Sequence, residues 1–178
     1  ATQLFQEVKR KYGYSRYARL AELCLADIDY HQEKFAEAVG LYKGFVNDYP
    51  NDPEAGYARY KIAKAEFVQS GASILLPPLE ERDLSNVRDA NVALRALLSD
   101  FPDSPHSAEL NYMLQVVSGL LARHELYVAR FYLNLDNFEA AVARCQYAIQ
   151  NFQDSGLEPE GLVLLGETYL KMKDVAHA

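Results

Sequence analysis

A spacing of 3, 4, 3, 4 between apolar residues, ending each time on an aromatic ring, recurs along this chain and limits its possible folds more than any other feature. Phe35, Ala38, Tyr42, Phe45 and Tyr49 follow it. So do Val87, Ala90, Leu94, Leu97 and Phe101, and again Phe138, Ala141, Cys145, Ala148 and Phe152. A partial copy runs through Ala1, Phe5, Val8 and Tyr12. Such spacing puts all members of a set on one face of a helix. Pro50 and Pro102 follow the aromatic residue in two copies. Proline stops a helix there, since it lacks the N–H and restricts the residue before it. Gln153 stands in that place after Phe152.

A partner helix precedes each set. Leu25-Ala26, Ile62-Ala63, Val128-Ala129 and Leu165-Gly166 occupy equivalent places. Ala26 and Ala129 each lie nine residues before the first aromatic of the next helix, Phe35 and Phe138. A small residue lets two antiparallel helices approach closely, and the layout is that of a tetratricopeptide helical pair. Ala63 lies 24 residues before Val87, so this pair holds a 15-residue insertion at about 70–86. Gly71 and Pro77-Pro78 break the helix there, and Asp83 or Ser85 can cap the next one. Helices are expected near 1–11, 15–31, 34–48, 54–69, 86–100, 106–134, 137–152 and 157–173. The segment 106–134 is long enough for one helix, or for two that break near Ser118-Gly119. No strand pattern competes. The expected fold is all-α: one tetratricopeptide-repeat solenoid over 1–178, with about four repeats and partial ones at both ends. The chain reads as a fragment of a longer one.

The net charge of −7 argues against nucleic acid as a partner, because phosphates need a basic surface. No run approaches the roughly 18 apolar residues of a membrane span, and no signal peptide is recognisable. Cys24 and Cys145 fall at helical packing positions and are expected as buried free thiols. His124-Glu125 begins a metalloprotease-like motif, but the position one turn after His124 holds Val128 instead of a second histidine. His31, His106 and His177 have no ligand partners at metal spacing, and the Glu80-Glu81 pair reads as solvated. No phosphate loop or nucleophile motif is present. No enzyme activity, metal or cofactor is expected.

The concave wall of a repeat stack is made by the first helix of each pair. The residues expected on it are Asp27, Tyr30 and His31 from one pair, and Tyr57, Tyr60, Lys64 and Phe67 from the next. The chain has 13 tyrosines and no tryptophan. A tyrosine wall with a few charges suits an extended peptide, with rings giving area and hydroxyls meeting peptide polar groups. The plainer reading is that these tyrosines only pack between helices.

The order YPNDP, EERDLSNVRDA, FPDSPHS and then LARHELYVARFYLNLDNFEAAVARCQYAIQNF resembles the BamD (ComL) family. That family comprises tetratricopeptide lipoproteins of the outer-membrane β-barrel assembly machinery. The resemblance runs from about Leu4 to Lys173 and is most specific over 121–152. Gln153 departs from the family's proline, and the lipid-bearing cysteine is not among these residues. The resemblance implies a non-enzymatic protein at the periplasmic face of the outer membrane, held by a lipid on an upstream residue. It implies that N-terminal repeats receive unfolded outer-membrane proteins, in a groove here comprising Asp27, Tyr30, Tyr57, Tyr60 and Lys64. It further implies that C-terminal repeats dock a POTRA domain of the barrel subunit through an arginine matching Arg144, with accessory lipoproteins as further partners. Arg144 lies off the apolar face of its helix, so its removal is expected to cost little stability. A different periplasmic tetratricopeptide adaptor, serving cell-envelope or pilus assembly through one protein partner, is the competing reading.

Overall fold

The computed structural model describes residues 1–70 and 83–173, which form eight α-helices and no strand. They are α1 (Thr2–Lys11), α2 (Arg16–His31), α3 (Phe35–Asp48), α4 (Ala55–Gln69), α5 (Ser85–Asp100), α6 (Ser107–Asn134), α7 (Phe138–Asn151) and α8 (Glu158–Lys171). Each packs mainly on its neighbours in the chain, so the helices stack as a solenoid. The expected insertion at 70–86 falls mostly on 71–82, outside the described residues. At its far edge Asp83 accepts hydrogen bonds from the Ser85 backbone N–H at 2.9 Å and the Ser85 hydroxyl at 2.8 Å, a turn just before α5; the N-cap position itself is Leu84, so neither Asp83 nor Ser85 caps the helix as expected.

The repeated spacing does what its periodicity requires. In α3, Ala38 and Tyr42 are fully buried and Phe45 nearly so; in α5 the same holds for Val87, Ala90 and Leu94, and in α7 for Ala141 and Cys145. The aromatic residue ends each of these helices in one conformation. Tyr12, Tyr49, Phe101 and Phe152 have φ of −127°, −133°, −134° and −126°. Each donates its N–H to the carbonyl four residues back, at 2.9, 2.8, 2.9 and 3.1 Å. Phe152 does so without a following proline, and Gln153 opens a short 3-10 turn, Gln153–Ser155, instead. The stop therefore does not require the proline: the same C-terminal conformation and the same N–H bond four residues back recur at Phe152 without it.

The turns from α2 to α3 and from α6 to α7 repeat as well. Glu33 and Asp136 sit two residues before Phe35 and Phe138, with φ of 61° and 55° in the left-handed region.

Three apolar clusters follow one another along the chain. The first joins α2, α3 and α4 through Leu23, Ala26, Tyr42, Phe45 and Ala58. The second joins α4, α5 and the N-terminal half of α6 through Ala63, Leu94, Leu97, Leu110 and Val117. The third joins the other half of α6 to α7 and α8 through Leu126, Ala129, Cys145, Ala148 and Leu164. The small residues expected beside the second helices, Ala26, Ala63 and Ala129, are all buried. Helix α6 does not break at Ser118-Gly119. Ser118 is fully buried, and its hydroxyl accepts the Asn91 side-chain amide of α5 at 2.9 Å. The polar residue there is a tie between helices, and α6 bridges two clusters.

Candidate peptide groove and docking face

The expected groove residues come together on α2 and α4, with Glu109 from the first turn of α6 beside them, and most of their polar atoms already have partners. The Asp27 carboxylate accepts the hydroxyls of both Tyr42 and Tyr57, the latter at 2.7 Å, and the Lys61 ammonium lies 3.6 Å away. Burial, and then the bond to Asp27, push both phenols upward from their usual titration range. Asp27 is thus a hub tying α2, α3 and α4 together. Lys61 also lies 4.3 Å from the centre of the Tyr30 ring and 5.6 Å from that of Tyr57, a cation held over two aromatic faces.

A second hub sits beside it. The Tyr60 hydroxyl donates to Glu109 at 2.8 Å, and the Lys64 ammonium reaches Glu109 at 2.9 Å and the Tyr60 oxygen at 3.2 Å. The bond to Glu109 holds Lys64 charged well above the usual lysine range, while the Lys64 and Tyr60 bonds lower the Glu109 carboxyl. His106 stacks on the Tyr60 ring with centroids 4.2 Å apart and planes at 18°. Tyr30 is braced edge-on by His31 and Phe35. Phe67 is half-buried and packs against the second apolar cluster, as Tyr60 does.

A cavity of about 500 Å³ opens where Tyr57 and Tyr60 face Phe101, Pro102, Pro105 and His106. Its rings and prolines give flat apolar walls with the Tyr60 edge polar. A second cleft of about 560 Å³ lies between α1 and α2, lined by Phe5, Val8, Tyr12, Tyr17, Leu20 and Cys24. Sequence reading missed Lys61, His106, Glu109 and this cleft. The i, i+4 spacing of Tyr57 and Lys61 was a visible signal for the first; Glu109 lies 49 residues from Tyr60, so no local pattern marks that pairing.

Arg144 lies elsewhere, on α7. Its side chain is 45 % exposed, and its Nη1 donates to Glu125 Oε2 of α6 at 2.9 Å. The Glu125 side chain is only 12 % exposed. Arg144 does point off the apolar face, but it is not a lone surface charge, and removing it deprives a largely buried carboxylate of its cation. Both cysteines are free, Cys145 buried and Cys24 partly so. Burial pushes the Cys145 thiol up to about 11, which leaves it unreactive near neutral pH. Among the described residues no group of three His, Cys, Asp or Glu side chains could hold a metal, and no helix is long and apolar enough to cross a membrane.

The model of the YfiO family, described as outer membrane lipoprotein, matches residues 1–178. The chain belongs to this family. Among curated proteins it is similar to the outer membrane protein assembly factor BamD of Caulobacter vibrioides, 30 % identical over 96 % of this chain and 53 % of the relative. It is 25 % identical to BamD of Pasteurella multocida over 97 % of this chain and 67 % of the relative, and 25 % identical to that of Neisseria meningitidis over 97 % and 66 %. The chain therefore spans between about half and two thirds of the lengths of these relatives. Their shared name is that of an assembly factor, which bears out the non-enzymatic expectation and the BamD resemblance. The all-helical stack bears out the fold.

Proposed function

We propose that this chain is a non-enzymatic scaffold and substrate-receiving part of an outer-membrane protein assembly complex. The observation that carries the reading is the family match along the whole chain, to relatives named for that process. The protein works at the periplasmic face of the outer membrane, tethered by a lipid on a residue upstream of these. Residues 1–178 act as one solenoid domain. The wall formed by Tyr30, Tyr57, Tyr60, Lys61 and Lys64 receives an unfolded outer-membrane protein through an aromatic-rich terminal strand. Ring faces and a cavity beside them support that assignment, because extended peptides bind through alternate side chains in pockets. Asp27 shapes this wall from behind. Arg144 docks a carboxylate on a POTRA domain of the barrel subunit, and accessory lipoproteins are further partners.

The test is crosslinking to a peptide carrying an aromatic-rich terminal strand. Tyr60→Ala removes a ring from the wall and one hydroxyl from Glu109, and is expected to weaken crosslinking at Tyr30 and Tyr57 about tenfold while circular dichroism is unchanged. Equal crosslinking in the parent and variant would place substrate elsewhere. Pull-down from membranes that recovers only one unrelated envelope protein, and no barrel subunit, would favour the adaptor reading.

A further inference from the structure

We infer that Glu125 is the positioning residue for Arg144, and that this pair, with Tyr147 beside it, forms a pre-organised hot spot for a carboxylate on a partner protein. The inference rests on the docking reading of Arg144 given above. It starts from an asymmetry in exposure. The Glu125 side chain is 12 % exposed and the Arg144 side chain 45 %. The carboxylate is set into the protein by α6, and the guanidinium lies over it toward solvent.

A guanidinium carries five N–H donors in a rigid plane. The 2.9 Å bond to Glu125 uses Nη1, and among the described residues no second ion pair of Arg144 is formed. The remaining donors are available to an incoming carboxylate, which can take them two at a time. Glu125 fixes the plane in which they point. An arginine without such a partner samples many rotamers and loses that freedom when it binds. Glu125 has already imposed much of that loss during folding.

The surroundings suit the same role. Tyr147 lies one turn on from Arg144 along α7 and is 48 % exposed. Its ring is braced edge-on against Phe152, with centroids 5.8 Å apart. Arginine and tyrosine, rigidly held and partly exposed, are the residue types that dominate binding energy at protein interfaces. Two carboxylates on one guanidinium repel each other, so the charge of Glu125 weakens docking while its acceptor geometry helps. These two effects can be separated by substitution.

The experiment measures affinity of the full-length protein for a soluble POTRA fragment of the barrel subunit, with Glu125→Gln, Glu125→Ala and Arg144→Ala. Gln keeps an acceptor oxygen and removes the charge. We expect Glu125→Ala to weaken binding about tenfold, and Glu125→Gln to stay within about threefold of the parent. The Arg144 side-chain N–H resonances, read by NMR in the unbound protein, are expected to be dispersed in the parent and in Glu125→Gln, and averaged in Glu125→Ala. A purely structural role would lower the melting temperature without that pattern of rescue. Parental affinity in Glu125→Ala, or equal losses in the Gln and Ala variants, would overturn the positioning role. Parental affinity in Arg144→Ala would instead overturn the docking reading on which it rests.

Discussion

Asp27 illustrates what a single residue does here that its place in the sequence does not reveal. Its place on α2 was legible, because the apolar period marks that helix. Its task was not, because its donors lie 15 and 30 residues away, on other helices. Tyr42 is fully buried, and its hydroxyl depends on Asp27. Asp27→Ala strands that donor, and an unsatisfied buried donor costs about 1–3 kcal/mol. Asp27→Asn keeps an acceptor and is expected to lose less than half as much. In thermal unfolding the Ala variant should melt several degrees below the Asn variant. Equal melting would mean that the Tyr42 hydroxyl finds another acceptor. Lost peptide crosslinking in Asp27→Ala would therefore not by itself identify Asp27 as a contact to substrate; the Tyr30 and Tyr60 rings, which carry less of the core, are the cleaner probes.

At the scale of the helix, the spacing of apolar residues carried nearly everything. It marked α2, α3, α4, α5, α7 and α8 because burial on one face is periodic and the periodicity is written in residue types. It left α6 ambiguous. Ser118-Gly119 reads as a weak point when only propensity is considered, whereas the Asn91 bond and the clusters on either side hold the helix continuous. The approach of α8 to α7 was legible only as small residues in α8. A Cβ on Gly161 would lie 2.9 Å from Ile149 Cγ1 and 3.6 Å from Leu126 Cδ2. Replacing glycine by alanine inside a helix gains about 1 kcal/mol of propensity. Overpacking a close contact costs about 1–3 kcal/mol, and Ile149 Cγ1 is not the free end of a flexible chain. The second effect should win. Gly161→Ala is expected to lower the melting temperature by about 2–4 °C. A rise would show that α8 can move outward at no cost.

Across the whole molecule, a stack whose helices meet mainly their chain neighbours can carry two tasks with little interference. The proposed groove is built from α2, α4 and the first turn of α6, around the first and second clusters. Arg144 belongs to α7 and the third cluster, with α6 as the shared element. The family resemblance suggested this division, and the helical periodicity assigned the residues to their helices. The Arg144–Glu125 pairing stayed hidden because it joins residues 19 apart on two helices. It changes the expected cost of mutation. Arg144→Ala leaves Glu125 without its cation, and about 0.5–1 kcal/mol should be lost rather than nothing. Arg144→Glu sets two carboxylates together, one of them largely buried, and should cost more. Arg144→Ala is thus the better variant for separating the tasks. It should lose the barrel subunit in pull-down, keep peptide crosslinking at the Tyr60 wall within about twofold, and melt within a few degrees of the parent. Simultaneous loss of both partners, in a variant that still folds, would mean that α6 transmits a change from the third cluster to its own first turn, and the stack would then work as one coupled body instead of two neighbouring sites.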